Sequence, residues 1–236
     1  VTRPPIPTLD MEANTLTNPG IRTVAVLGGT GPQGRGLARR FAAAGLRVVL
    51  GSRTADRARA AAGELEAATG GQVEGADNLA AALLGEAVIV AVPWEAHAEL
   101  LTELAPALAG KLVVDCVNPL GFDGKGAFAL RVPEGSAAEQ AAALLPESRV
   151  VAAFHHVSAV LLDDPAVEFV DSDVLVLGDD REAVDLVQQL VATIPGMRGV
   201  YGGRLRNAHQ VEAFTANLIS INRRYKAHSG LRVTDI

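Results

Sequence analysis

A single cysteine, Cys116, leaves no partner for an intramolecular disulfide, so nothing in the chain asks for an oxidising compartment. Lysine is almost as scarce, with Lys111, Lys125 and Lys226 only. Basic residues number 21 against 27 acidic ones, a net charge of -6 that argues against a nucleic-acid binder, because phosphate backbones are held by clustered Lys and Arg. Long apolar runs are missing too. A stretch such as Ala87 to Val92 is far short of the roughly 20 residues that a membrane helix needs. The first residues (Val1, Thr2, Arg3, Pro4, Pro5) lack the apolar centre of a signal peptide. These absences lead us to expect a cytoplasmic protein without membrane or nucleic-acid partners.

What is present is an ordinary globular mixture, 49% hydrophobic and 20% charged, long enough for one large domain or two modest ones. Residues 1–21 are rich in Pro, Thr and Asn and read as an N-terminal extension. From Arg22 the pattern changes. Thr23 to Leu27 reads as a buried parallel strand, followed by a glycine loop and a helix from about Gln33 to Ala44 stopped by Gly45. Arg47 to Gly51 reads as the next strand, and Thr54 as N-cap of a helix to Thr69. Ala87 to Val92, Leu112 to Cys116 and Arg149 to Phe154 are further β-branched runs. Such alternation implies a doubly wound parallel sheet, here a Rossmann domain over 22–157. Residues 158–236 read as a smaller C-terminal α/β domain that closes a cleft, with short strands at Val174 to Leu177 and Gly199 to Tyr201. Its last helix, about Leu205 to Arg224, carries a stripe of Val211, Phe214, Leu218 and Ile221. That stripe faces a core or a partner subunit, core being preferred.

Gly29, Gly31 and Gly34 form G-x-G-x-x-G between a strand and a helix, the context in which the pattern carries meaning. One glycine allows the turn, the next admits a pyrophosphate to the backbone, and the third lets helix and strand pack closely. Where a domain selective for NAD ends its second strand with an acid, this chain has Gly51-Ser52-Arg53, with Arg57 one turn further on. An acid repels a 2′-phosphate, whereas hydroxyl and guanidinium groups donate to one, so the expected nucleotide is NADP(H).

Dehydrogenases that oxidise an alcohol need a positioned base. None of the three lysines or of His97, His155, His156, His209 and His228 stands in a recognisable catalytic or metal-ligand arrangement. Adjacent His155 and His156 point to opposite faces if they lie on a strand. No metal is expected. Hydride transfer between two flat rings, in which stacking and orientation supply most of what is needed, fits this inventory better.

Taken in order, Val26-Leu27-Gly28-Gly29-Thr30-Gly31, Gly51-Ser52-Arg53, Val92-Pro93-Trp94-Glu95, Phe154-His155-His156 and Leu177-Gly178-Asp179-Asp180 form a familiar set. From about Thr23 to the C-terminus the chain resembles the NADPH-dependent reductases of the deazaflavin coenzyme F420 (the F420H2:NADP oxidoreductases). The resemblance implies an enzyme that moves a hydride reversibly between NADP(H) and coenzyme F420. It implies Gly29, Thr30, Gly31, Pro32, Gln33 and Gly34 at the pyrophosphate, and Ser52, Arg53 and Arg57 at the 2′-phosphate. Val92, Pro93, Trp94 and Ala159 then lie on the nicotinamide side, although a lone tryptophan after a strand, such as Trp94, is more often core than site. On the deazaflavin side it implies His155, Val157 and Leu231, and His155 is either a stabiliser of developing charge or a structural histidine. Arg204 and Arg206 depart from the family pattern and are read as contacts to the anionic tail of the deazaflavin. A homodimer that uses small-molecule cofactors is expected. The rival readings are an NADPH-dependent ferric or flavin reductase of the wider group and a non-catalytic NADP sensor.

Overall fold

The computed structural model describes residues 20–236, so residues 1–19 of the expected extension lie outside the described residues. In chain order the elements are β1 (Thr23–Leu27), α1 (Pro32–Ala43), β2 (Arg47–Ser52), α2 (Ala55–Thr69), β3 (Val73–Asp77), α3 (Asn78–Leu84), β4 (Ala87–Val90) and α4 (Trp94–Leu108). They continue with β5 (Leu112–Asp115), β6 (Leu120–Asp123), β7 (Gly126–Ala129), α5 (Ala137–Leu144), β8 (Arg149–Ala152) and α6 (Ala159–Asp163). Last come β9 (Ser172–Gly178), α7 (Arg181–Ala192), β10 (Met197–Gly203), a 3₁₀ turn at Leu205–Asn207 and α8 (Ala208–Tyr225).

Eight strands form one sheet in the order β10-β9-β8-β5-β4-β1-β2-β3, and β6 with β7 makes a separate hairpin. Strand β1 shows why both faces of the sheet are covered. Val24 and Val26 face one core layer, with Leu37 and Phe41 of α1, Leu65 of α2 and Val187 of α7. Ala25 and Leu27 face the other, with Leu101 and Leu104 of α4, Ala141 of α5 and Val211 of α8. A strand buried on both faces has to read as an unbroken apolar run, and each such Val or Leu contributes about 1.5–3 kcal/mol by leaving water.

Within the eight-stranded sheet the pairings are parallel except β8 with β9, where Val151 stands opposite Gly178 and Ala152 opposite Leu177. The reversal follows from the connection. Helix α6 has five residues, a rise of about 7 Å. That is too short to return the chain beneath the sheet, so β9 starts at the end where β8 stops. Buried Arg40 of α1 holds this connection down by donating to the carbonyls of Leu161, Leu162, Asp164 and Val167. The stretch after residue 157, expected as a smaller domain, thus adds two strands to the same sheet.

Boundaries differ from the expected ones by up to three residues, α8 starting at Ala208 after a 3₁₀ turn rather than at Leu205. Thr54 takes the N-cap position of α2, yet its side chain makes no capping bond. Gly45, at φ +85°, takes the left-handed turn after α1. The stripe on α8 divides: Val211 and Leu218 are buried, whereas Phe214 and Ile221 remain partly exposed.

Candidate active site

The strand order reverses between β1 and β4, so a crevice opens beyond the carboxyl ends of β1, β2, β4, β5 and β8. On one wall is the glycine loop. Gly28 has φ +72°, and the N–H of Gly29 donates to Val26 O at 3.2 Å and Gly51 O at 3.0 Å. A Cβ on Gly29 would come within 2.5 Å of Leu50, and one on Gly34 within 2.8 Å of Gly28 O. Packing alone therefore demands those two glycines. Gly31 is different. Its Cβ would meet nothing nearer than Gly28 O at 3.4 Å, an ordinary contact, and its φ of -82° suits any residue. The protein's own packing gives no reason for glycine there. Gly31 is also the N-cap of α1, whose first turn has Pro32 at its start and no side-chain cap, an arrangement that leaves N–H groups for an anion. An open cradle at a helix start fits a pyrophosphate.

At the end of β2, Ser52 is buried while Arg53 and Arg57 are exposed. Among the described residues neither arginine makes an ion pair, and the nearby acid Asp56 is bound to Arg59 instead. Asp77 on the adjacent strand stands level with Ser52 but caps α3, accepting from Ala80 N at 2.8 Å. The cations at this mouth are thus uncommitted.

Past β4, Val92 lies over Gly28, and Pro93 is the N-cap of α4. Trp94 opens α4, half-buried, with its ring 5.5 Å from that of His97. It both packs and borders the crevice. Thr30 is half-exposed in the loop. Gln33 turns to the opposite wall, where its Nε2 donates to Phe154 O at 3.2 Å.

That wall is the turn after β8. Phe154 has a positive φ of 65° and sets its buried ring edge-on to Phe41, with centroids 6.1 Å apart. His155 and His156 lie in this turn beyond the strand, both only 3% exposed. The backbone of His155 is held twice, its carbonyl accepting from Asn118 Nδ2 at 2.8 Å and Thr215 Oγ1 at 3.0 Å. Among the described residues neither Nδ1 nor Nε2 of its buried ring makes a well-formed hydrogen bond, although the Val117 backbone favours its charged form. Two such orphans cost about 1–3 kcal/mol each unless something supplies partners. Burial pushes His155 down to about 4, so its ring is neutral near pH 7. His156 is also pushed down to about 4, first by burial and then by His155; its Nε2 accepts from Leu175 N at 3.2 Å. Val157 is buried beside them, and Ala159 begins α6 at the rim.

Leu231 reaches this end of the molecule, its carbonyl accepting from Asp173 N at 2.7 Å at the start of β9. Arg204 and Arg206 do not. Because β9 runs antiparallel to β8 and β10 follows β9, the carboxyl end of β10 lies at the far edge of the sheet. There Arg204 pairs with Asp179 at 3.4 Å, and Arg206 sits in the 3₁₀ turn that follows. Their reading as deazaflavin contacts is corrected on that ground.

Sequence reasoning missed Asn118 and Thr215, which come from distant stretches to meet at His155. The crevice rule applied to the end of β5 was the signal for Asn118. For Thr215 there was only its place one turn after Val211. It also missed a fully buried pair, His97 Nε2 to Asp115 Oδ2 at 2.7 Å, and buried Glu212, which accepts from Ala137 N and Ala138 N at 2.9 and 3.2 Å. Burial raises Glu212 to about 7.

Comparison with known proteins agrees with this geometry. Residues 23–119 match the model of a family described as NADP oxidoreductase, coenzyme F420-dependent. The chain is 38% identical to the F420-dependent NADP reductase of Methanothermobacter thermautotrophicus over 224 residues, which is 92% of this chain and 96% of that one. It is 36% identical to the F420-dependent NADP reductase of Methanocaldococcus jannaschii, over 90% of this chain and 98% of that one. A crystal structure from Arthrobacter sp. FB24, assigned as an F420-dependent NADP-reductase, superposes with a TM-score of 0.78 at 26% identity, covering 92% of this chain and all of that one. With a glycine cradle, an uncommitted pair of arginines and near full-length similarity in hand, the chain belongs to the F420-dependent NADP reductase family.

Proposed function

We propose that the chain catalyses reversible hydride transfer between NADP(H) and the deazaflavin coenzyme F420, both held in the crevice between the glycine loop and the β8 turn. The observation that carries this is the pair of opposed walls: a phosphate cradle at Gly31 and, across from it, the β8 turn at Phe154 and His155, which Gln33 ties to the glycine loop. When the two substrates are stacked, a hydride passes directly from ring to ring. The protein orients the rings, keeps water out and meets the charge that develops on the deazaflavin edge. Thr30, Gly31, Pro32, Gln33 and Gly34 surround the pyrophosphate, with the open first turn of α1 supplying N–H groups. Ser52, Arg53 and Arg57 take the 2′-phosphate. Val92, Pro93, Trp94 and Ala159 border the nicotinamide, and His155, Val157 and Leu231 the deazaflavin.

A neutral His155 ring carries one donor and one acceptor. With its pKa held at about 4 it is not an acid at assay pH, so it acts as an electrostatic partner. His155→Ala is expected to lower turnover by at most about a hundredfold, the loss of one such donor, and to leave NADPH affinity unchanged. A folded variant reduced to the uncatalysed rate would make His155 obligatory. At the other end, Arg53→Ala or Arg57→Ala removes charge-assisted bonds worth about 1.5–3 kcal/mol each. NADP affinity is expected to fall about tenfold to a hundredfold, with NAD affinity nearly unchanged. Equal weakening of both nucleotides in a titration contradicts the assignment.

We further place the protein in the cytoplasm as a homodimer. The single thiol, Cys116, is buried, as suits a reducing compartment. Phe122 and Phe128 of the hairpin, with Phe214, Ile221 and Tyr225 of α8, leave apolar surface for a second copy to cover. Light scattering on the pure protein reads that mass directly. The reaction itself is tested by mixing the protein with NADPH and oxidised F420 and following the deazaflavin absorbance. Bleaching no faster than in an enzyme-free control would remove the proposed activity.

A further inference from the structure

His97 lies one turn inside α4, beneath Trp94, and is fully buried together with Asp115 at the end of β5. Its Nε2 is 2.7 Å from Asp115 Oδ2 and its Nδ1 is 3.0 Å from Gln140 Oε1. Gln140 uses its Nε2 to donate to Glu134, so the atom it shows His97 is an acceptor. Both ring nitrogens of His97 therefore meet acceptors, and the ring serves as an imidazolium paired with a carboxylate. Burial is the largest single influence and pulls the His97 pKa down, but the hydrogen bond and charge of Asp115, with Gln140 and Glu212, together outweigh it and hold the value above the ordinary one. The other oxygen of Asp115 accepts from Val117 N at 3.0 Å, which fixes the turn leading to Asn118. Asn118 then donates to the carbonyl of His155. Glu212 of α8 is the remaining charged neighbour, held by the first N–H groups of α5.

A buried ion pair is a poor way to stabilise a fold, because an apolar pair of similar volume does as well or better. What this pair does provide is direction. It joins Trp94, on the nicotinamide wall, to the turn that grips His155 on the facing wall, through ring contact and hydrogen bonds at each link. We propose that His97 and Asp115 are positioning residues for hydride transfer, fixing the separation and tilt of the two walls that hold the stacked rings. The inference rests on the proposed reaction.

The test compares His97→Leu, His97→Gln and the double variant His97→Leu/Asp115→Leu, each assayed per folded molecule with NADPH and F420. His97→Leu leaves Asp115 buried and unpaired, so a low melting temperature is expected. The double variant removes both charges and is expected to melt near the wild type. A small misplacement of reacting rings costs on the order of tenfold to a hundredfold in rate. We therefore expect kcat to fall by about that factor in both Leu-bearing variants, with the Kd for NADPH within about twofold of wild type. The isotope effect with deuterated NADPH should rise as the chemical step becomes slower. His97→Gln, which still donates to Asp115, should recover most of the lost rate. Full kcat in the double variant, or kcat that simply follows melting temperature across the series, overturns the positioning role. If the wild type itself fails to bleach F420, the proposed reaction is wrong and this role falls with it; with an active wild type, the variants alone decide.

Discussion

Gly31→Val is expected to abolish NADPH binding while the protein stays folded. The position has an ordinary φ, and a Cβ there touches only Gly28 O at 3.4 Å, so the chain has room for a branched side chain. That room is where the pyrophosphate lies in the proposed complex. Displacing it forfeits at least two charge-assisted hydrogen bonds at about 1.5–3 kcal/mol each, a weakening of about 10²–10⁴-fold. Gly34→Val is the informative contrast. Its side chain would press on Gly28 O and Gly29 Cα at 2.8 and 2.9 Å, so the β1–α1 packing itself must give, and the melting temperature should drop. Calorimetric titration together with thermal unfolding separates the two effects. A folded Gly31→Val protein with normal NADPH affinity would show that the loop is no phosphate cradle.

Stability is expected to fall as the medium is acidified from pH 6.5 to 4. His155 and His156 are both buried, and their pKa values lie near 4 against 6.5 in an unfolded chain. A depressed folded-state value means that the neutral form is favoured in the fold. The stability it contributes is complete above pH 6.5 and lost on the way down to 4. Each histidine accounts for on the order of 3 kcal/mol over that window. Glu212 works the other way. Its folded value, about 7, lies above the ordinary 4.5, so its contribution is complete below 4.5 and lost as pH rises through 7. Acidification therefore restores on the order of 3 kcal/mol through Glu212 while the two histidines lose about twice that. His97, raised above 6.5, stays protonated through this range. Urea unfolding at a series of pH values should show a net loss of about 3 kcal/mol, and a steeper one in Glu212→Gln. A flat or rising profile would mean that the β8 turn is wetter than the structure has it.

The glycine loop and the acid-free end of β2, the nucleotide half of the proposed site, follow local rules. Steric demands at Gly29 and Gly34, and the absence of an acid after Ser52, are written in adjacent residues. Strand β3 was not legible. Val73 is its one buried residue, since an edge strand can carry Glu74 and Asp77 without penalty. The β6–β7 hairpin did leave a signal in Asp123-Gly124, whose carboxylate accepts from Lys125 N and Gly126 N. Four-residue strands flanking a turn are too short for a period to show. Arg204 and Arg206 were chosen for charge, and charge does not say at which end of a sheet a residue arrives. The direction of β9 decides that, and it depends on the short α6. His155, Asn118 and Thr215 meet only through the order of the strands, which no local pattern encodes.

Phe154 sits in a backbone region that its own side chain disfavours, at φ +65°. Left to itself this residue would swing the following pair of histidines elsewhere. What holds it is the ring, edge-on to Phe41 in the interior, and the Gln33 amide on its carbonyl. The turn therefore has no local minimum of its own to fall back on once the interior loosens. Native-state hydrogen exchange is therefore expected to place the amides around His155 with the slow group that opens with the β1–α1 core, although they lie in a loop beside the proposed site; fast exchange there would contradict this. Most binding loops fray independently of the body that carries them; this one is expected to share its opening with the centre of the fold.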